Sequence, residues 1–325
     1  MPAVNAKAKE GKTELRVGGK TLAVTNLEKV IYPKTGFTKG DVLDYYVRAS
    51  PVLLPHLKGR PITLKRYPGG VEGAFFYEKQ CPGHRPAWVK TAKVQKETGG
   101  EIDYCVMDGL PALVWAANLG DLELHTFLHH APAFERPDFL VFDLDPGPPA
   151  DVVACCRVAR LLKACLDAVG LLCLAKTSGS KGLQVYVPLN RPAITYAETK
   201  EAARALAEAL SRQYPELLVS RMQKELRRGK VLVDWSQNDS KKTTVCVYSL
   251  RAKDRPSVST PVRWEEVDRC IESQDAALLV FRPERVLARV AEHGDLFGPA
   301  LKLKQKLPAP GALASAAGAG GRRAG

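Results

Sequence analysis

The 325 residues contain no CxxC pair, no GxxxxGK[ST] loop, no apolar stretch of signal-peptide length at the N-terminus and no internal repeat. Each absence removes a class of protein. The eight cysteines (Cys81, Cys105, Cys155, Cys156, Cys165, Cys173, Cys246, Cys270) mostly sit in apolar runs, and no two ligand types cluster at finger or ribbon spacing. A zinc site is therefore not expected, and the cysteines read as small core residues of a reduced, cytosolic protein. The longest apolar region, LLKACLDAVGLLCLA, is interrupted by Lys163 and Asp167, so no membrane span and no membrane partner are expected. Without a Walker loop, any phosphate site must be built another way.

What the chain does have is positive charge. Lys and Arg number 48 against 35 Asp and Glu, a formal net charge of +13 to which six histidines add little. Such a balance favours a polyanionic partner, most simply nucleic acid, although a generic solubilising surface would look the same. The length allows one large domain or two closely packed ones with a sizeable core. Residues 1–20 are polar and rich in Lys and Gly, and residues 301–325 are basic and then low in complexity. Both read as flexible extensions flanking an ordered body over 21–300. Within that body, GRPITLKRY, FLVFDLDP, GLQVYVPL, KVLVDWS and TTVCVYSL read as strands. DVVACCRVARLLKACLDAV and AETKEAARALAEALSRQY have helical spacing, with Asp151 placed to cap the first. Strands interleaved with amphipathic helices give a mixed α/β protein.

The segment DFLVFDLDPGPP sets two acids inside an apolar run. In an extended strand Val141, Asp143 and Asp145 share one face, and Leu140, Phe142 and Leu144 the other. Adjacent carboxylates repel unless a cation lies between them. A hard divalent ion such as Mg²⁺ or Mn²⁺ meets that need, since it takes oxygen ligands and keeps positions for water and phosphate. Asp234, at the end of the run Val231–Val233, is a third acid in similar surroundings, and three such carboxylates suit a two-metal phosphoryl-transfer site. The plain alternative is that the acids cap a helix or pair with surface lysines. A haloacid-dehalogenase-like phosphatase also carries FDLD, but that family continues Gly-Thr where Pro146 and Gly147 stand here.

Other segments suit a nucleotide or a nucleic acid. KTSGSKGLQVYVPL sets a Ser-Gly-Ser-Lys-Gly turn before a strand, where backbone N–H groups, Ser178 and Lys181 could meet an anion; an ordinary turn would read alike. His125 lies in the alternating run DLELHTF beside Glu123. Lys241, Lys242 and Arg251 surround the strand downstream of Asp234, as a cationic lining for a triphosphate or as a solvated face. Lys29 and Lys39 could hold backbone phosphates. Phe75 and Phe76 could stack on bases, although adjacent Phe residues are more often one core and one half-core residue.

Taken in order, NLEKVIYPKTGFTKGD, LLPHLKGRPITLKRYP, FFYEK, ELH, FDLDPG, TSGSKG and VDWSQN…KTTV…YSLRA resemble the polymerase domain of bacterial ligase D, a branch of the archaeo-eukaryotic primase superfamily. The likeness runs from about Asn26 to Arg282. It implies an α/β fold with an RNA-recognition-like catalytic sheet plus a second α/β module. By position, Asp143, Asp145 and Asp234 match the metal-binding catalytic carboxylates, with two Mn²⁺ (or Mg²⁺) ions per active site. His125, Ser178, Lys181, Gln184, Lys242 and Arg251 match nucleotide-binding positions. Lys29 and Lys39 match the DNA 5′-phosphate site, and Phe75 and Phe76 the aromatics that meet the template. Gln184 departs from the family, many members of which read Gly-Leu-His; Gln can hydrogen-bond a phosphate or ribose but cannot carry charge.

The resemblance implies template-directed addition of nucleotides, including ribonucleotides, to primer ends at gapped or broken DNA in end joining. De novo priming and non-catalytic end bridging are the alternatives. No ligase or phosphoesterase region is present in these residues, so a stand-alone member is expected, with a separate DNA ligase and end-binding protein as partners and a cytoplasmic, nucleoid-associated location.

Overall fold

The computed structural model describes residues 4–9, 12–96 and 99–320. The chain forms two compact units. One comprises Met1–Phe127, Thr243–Ser259 and Phe281–Asp295, and the other Leu128–Lys242, Thr260–Val280 and Leu296–Gly325.

The first unit holds a six-stranded sheet in the order Thr244–Val245, Asp121–Thr126, Pro61–Arg66, Glu101–Val106, Lys90–Gln95, with Phe76–Glu78 paired to the far end of Pro61–Arg66. Helix Lys39–Leu57 starts at Thr38, whose hydroxyl accepts from the Asp41 amide while the Asp41 carboxylate accepts from the Thr38 amide. Two buried tyrosines fix this helix to its surroundings. Tyr46 donates to the Leu122 carbonyl (2.7 Å) and Tyr45 to that of Tyr248 (2.8 Å), so the strand carrying Glu123 and His125 is held from behind.

Residues 1–20 differ from the expected flexible extension. Strands Val4–Lys9, Lys12–Val17 and Lys20–Thr25 form an antiparallel sheet, while residues 1–3 and 10–11 lie outside the described residues. Alternation explains it: Val17, Leu22 and Val24 are buried, while Arg16, Thr21 and Ala23 beside them are exposed. The cysteines also divide. Six are buried thiols outside any disulfide, whereas Cys81 and Cys105 are joined by one. Their spacing carried no sign of this, because the pairing depends on where the strand Glu101–Val106 lies.

The second unit is built on a six-stranded sheet in the order Leu218–Val219, Val231–Asp234, Phe139–Pro146, Leu183–Pro188, Leu174–Thr177, Pro261–Val262. Helix Val152–Ala168 begins at Asp151 as its sequence predicts, the carboxylate accepting from the Val153 and Ala154 amides. Helix Tyr196–Gln213 begins at Thr195 in a reciprocal cap with Glu198. The expected low-complexity tail contains helix Pro310–Gly320, and residues 321–325 lie outside the described residues. Its Leu313, Ala316 and Ala317 are buried, and the helix packs against Val152–Ala168 and Tyr196–Gln213, where small side chains permit close approach. Among the described residues no helix is long and apolar enough to cross a membrane.

One buried acid in the first unit predicts a pH effect on stability. Asp121 is fully buried, and neither oxygen reaches a hydrogen-bond partner of normal geometry. Burial pushes its carboxyl well above the usual range, and the nearby Lys65 amide and Arg66 offset this only in part. The folded chain therefore holds a proton that the unfolded chain releases near pH 4. Stability from this site is complete below that pH and falls as the pH rises toward the folded value. Asp121→Asn should flatten the loss, so its Tm should exceed the wild-type value by several degrees at pH 8, by a margin that closes as the pH falls toward about 4. Parallel Tm profiles would show that Asp121 is not the cause.

Candidate active site

The acidic strand Phe139–Pro146 is buried along its length except at Asp143, which is half-buried, and Asp145, which is exposed. Even Val141, on the face of the two acids, is fully buried. The strand is thus held on both sides up to the point where the carboxylates emerge. On one edge Asp143 pairs with Asp234, and on the other with Gln184. Gln184 in turn pairs with Lys176. Four side chains, Lys176, Gln184, Asp143 and Asp234, therefore stand in one row across four adjacent strands, with Asp145 two residues along.

Side-chain bonds run along this row. The Lys176 ammonium donates to Gln184 Oε1, and Gln184 is hydrogen-bonded to Asp143. Burial, followed by the charge of Asp145, raises the Asp143 carboxyl above the usual range; the Gln184 hydrogen bond and Lys176 pull it back, while Asp234 adds to the rise. Asp234 accepts at Oδ1 from the Ser236 amide (2.8 Å) and hydroxyl (2.5 Å), and at Oδ2 from Gln237 (3.2 Å). Lys242 Nζ donates to Ser236 Oγ at 2.6 Å, so this predicted cation reaches Asp234 through one hydroxyl. Among the described residues, no group of three His, Cys, Asp or Glu side chains is disposed to hold a metal ion. The donor set fits one nonetheless, since it is all oxygen, and the like charges already act on one another through Asp143.

The VDWSQN motif also has a mechanical part that the sequence did not reveal. Where the pairing of Val231–Asp234 with the acidic strand ends, Asn238 takes over. Its side chain accepts from the Val141 amide (2.9 Å) and donates to the Val141 carbonyl (2.7 Å). Asn238 is fully buried and so substitutes for a further residue of strand.

The Ser-Gly-Ser-Lys-Gly turn lies between Leu174–Thr177 and Leu183–Pro188. Ser178 Oγ accepts from the Ser180 (3.2 Å) and Gly182 (3.1 Å) amides, closing the turn on itself. Lys181 is exposed at its tip.

In the first unit His125 belongs to a second cluster. Glu123, almost wholly buried, takes His125 Nε2 at 3.0 Å, Arg251 Nε at 3.2 Å and Lys65 Nζ at 3.3 Å, and also accepts from the Ala252 amide. Burial opposes its ionisation, but the His125 hydrogen bond and the charges of Arg251 and Lys65 outweigh that and hold its carboxyl far below the usual range. Burial lowers the His125 imidazole, with Glu123 pulling the other way. Lys65 is the member that sequence reasoning passed over, and Glu123 entered it only as the neighbour of His125 in an alternating run.

Next to this cluster, Phe75 and Phe76 are both exposed, at 52% and 43%, so neither is the core residue that adjacent Phe residues usually supply. Phe75 stacks on Tyr67 (centroids 5.2 Å) with Lys65 4.7 Å from its ring centre, and Tyr77 meets His125 edge-on at 5.9 Å. Phe76 lies beneath Arg66. Lys39 and Lys29 also come together: the Lys39 amide donates to the Lys29 carbonyl, and Lys39 Nζ to that of Thr25 (2.8 Å). Burial, then the charge of Lys29, lowers the Lys39 ammonium to about 8.

The chain and its fold match a class of known polymerase domains. Residues 38–297 match the model of the LigD, primase-polymerase domain family. The chain is 39% identical over 281 residues to the multifunctional non-homologous end joining protein LigD of Mycolicibacterium smegmatis, covering 85% of this chain and 35% of that protein. It is 32% identical over 273 residues to the bifunctional LigD of Bacillus subtilis, covering 84% of this chain and 43% of that protein. The structure matches the polymerase domain from Mycobacterium tuberculosis ligase D, solved in complex with DNA, with a TM-score of 0.81 and 38% identity; the match covers 87% of this chain and 99% of that one. The chain therefore belongs to the LigD primase-polymerase domain family. It spans between about a third and two fifths of the full-length relatives named here.

Proposed function

We propose that this protein is a template-directed nucleotidyltransferase that adds nucleotides, ribonucleotides included, to primer ends at gapped or broken DNA. The observation that carries the reading is the row of Asp143 and Asp234 in register, with Asp145 beside them and Gln184 and Lys176 behind. Asp143, Asp145 and Asp234 would hold two divalent cations, Mn²⁺ or Mg²⁺, which supply positive charge to the attacking 3′-oxygen and to the departing pyrophosphate. The protein's own share is positioning. Gln184 and the Ser236–Gln237 pair fix the carboxylates of Asp143 and Asp234, so little reorganisation is left for the reaction itself.

Arg251 and Lys65, already oriented by Glu123, are suited to a triphosphate, with His125 held neutral beside them. Ser178, Lys181 and Lys242 supply further phosphate contacts, and Phe75 and Phe76 offer faces to template bases. The test is extension on 5′-phosphorylated gapped DNA against unprimed template, with Mn²⁺ and with ribo- and deoxyribonucleotides in parallel. Extension of the gapped primer supports the reading. Products on unprimed template alone would replace it with de novo priming, and binding without extension would replace it with end bridging.

Lys29 and Lys39 would hold the 5′-phosphate. Because the Lys39 ammonium is lowered to about 8, phosphate contact is at full strength below that pH and weakens above it. Preference for a 5′-phosphorylated over a 5′-hydroxyl gap should therefore decline between about pH 7.5 and 9. Replacing both lysines by Ala should remove about tenfold to 100-fold of that preference at pH 7, in line with loss of charge-assisted contacts worth roughly 1.5–3 kcal/mol. An unchanged preference in the double variant would place the phosphate elsewhere.

A further inference from the structure

Lys176 is a lysine in an unusual place. It belongs to the strand Leu174–Thr177, is 1% exposed, and lies 5.5 Å from the centre of the Tyr186 ring, two residues along the neighbouring strand from Gln184. Gln184 is 2% exposed, so the pair they form is hidden from solvent. A buried ammonium is costly unless it serves some arrangement around it.

The chemistry of the two groups defines that arrangement. An ammonium has donors and no acceptor, whereas a carboxamide has one acceptor end and one donor end. Lys176 donates to Gln184 Oε1, and this turns the Gln184 NH₂ toward Asp143, the next residue in the row. Flipping the amide would set donor against donor at Lys176 and acceptor against acceptor at Asp143. Both ends of the row therefore select one orientation.

We infer that Lys176 is a positioning residue of the acidic row: by fixing the Gln184 carboxamide it makes Gln184 a permanent donor to Asp143 and thereby aims the Asp143 carboxylate at a bound divalent cation. The inference rests on the reading of Asp143, Asp145 and Asp234 as a cation site. It also explains how Gln can stand at this position. A neutral imidazole has the same two ends, accepting at one nitrogen from Lys176 and donating at the other to Asp143. Gln184→His should therefore keep the function while Lys176 is present.

The test is a double-mutant cycle on the full chain, using Lys176→Met, Gln184→Ala and the pair. Binding of Mn²⁺ alone is measured by loss of the free-ion electron paramagnetic resonance signal, without DNA or nucleotide. Each single variant should lower Mn²⁺ affinity by about tenfold or more, the cost typical of residues that orient a metal ligand. The double variant should be no weaker than Gln184→Ala alone, because Lys176 then has nothing to orient. Gln184→His should bind close to wild type, and lose that affinity once Lys176→Met is added. Should Lys176→Met not fold, Lys176→Gln, whose amide can face Gln184 with either end, serves in its place and should also weaken binding. Wild-type affinity in the Lys176 variants would overturn the inference, as would additive losses in the cycle, which would mean that Lys176 acts on the cation directly. Absence of Mn²⁺ binding by wild type would instead overturn the cation-site reading on which it rests.

Discussion

Asp143→Ala should abolish primer extension, by about 10³-fold or more, while leaving DNA binding largely intact. Asp143 has a carboxylate on each side, Asp234 across the strand pair and Asp145 two residues on, so both proposed cation positions draw on it. A bound cation contributes several kcal/mol of transition-state stabilisation, and about 1.4 kcal/mol corresponds to tenfold in rate. The basic and aromatic residues proposed to meet DNA belong to the first unit and Asp143 to the second, which is why binding to DNA should survive.

Removal of the same carboxylate makes an opposite prediction for stability. Asp143 is burdened by burial and by its acidic neighbours, so removing its charge relieves repulsion. In chelator, Asp143→Asn should melt no lower than wild type. Added Mn²⁺ should raise the wild-type Tm and leave that of the variant in place, since only a folded state that binds the ion gains from it. A variant that extends primers as well as wild type would refute the metal assignment. One that melts far lower in chelator would show that Asp143 serves the fold rather than the reaction.

The acidic row shows where reading a sequence succeeds and where it stops. Asp143, Asp145 and Asp234 were legible because polar residues break apolar strand patterns, and a break repeated on two strands asks for a common cause. The helix starts at Asp151 and Thr195 were equally local, set by residues within one turn. Lys176 was not legible. A lysine at a strand position reads as solvent-facing, and only the pairing order of four strands puts it behind Gln184. Asn238 stayed hidden for a similar reason, since its partner Val141 is 97 residues away. The terminal segments were misread through composition: Lys and Gly in one, and Ala and Gly in the other, mask an alternation and a stripe of small residues that become apparent only once there is something to pack against. The Cys81–Cys105 bond and the exposure of Phe75 likewise follow from tertiary placement.

Gly182→Ala should cost about 100-fold or more in extension and lower the Tm, although it adds only a single methyl group. A Cβ at Gly182 would lie 2.0 Å from the Leu144 carbonyl oxygen, the backbone between Asp143 and Asp145. No side chain can yield there, so the turn and the acidic strand must part. Gly147, on the other side of the same strand end, is equally confined. Its Cβ would meet the Arg227 carbonyl oxygen at 1.9 Å, while its amide donates to Lys230 and its carbonyl accepts from Gly229. The strand end bearing both acids is thus gripped by backbone from two directions, and the Pro-Gly break in FDLDPG permits one of the two contacts. Misplacing reacting groups by about 1 Å costs on the order of 10² in rate, and a shift of that size is the least that relieves either overlap. Gly83→Ala is the matched control, because a Cβ there would meet nothing within 4 Å. If Gly182→Ala extends primers as fast as Gly83→Ala, the carboxylates do not depend on this grip, and their placement rests on the Gln184 and Asn238 side chains alone.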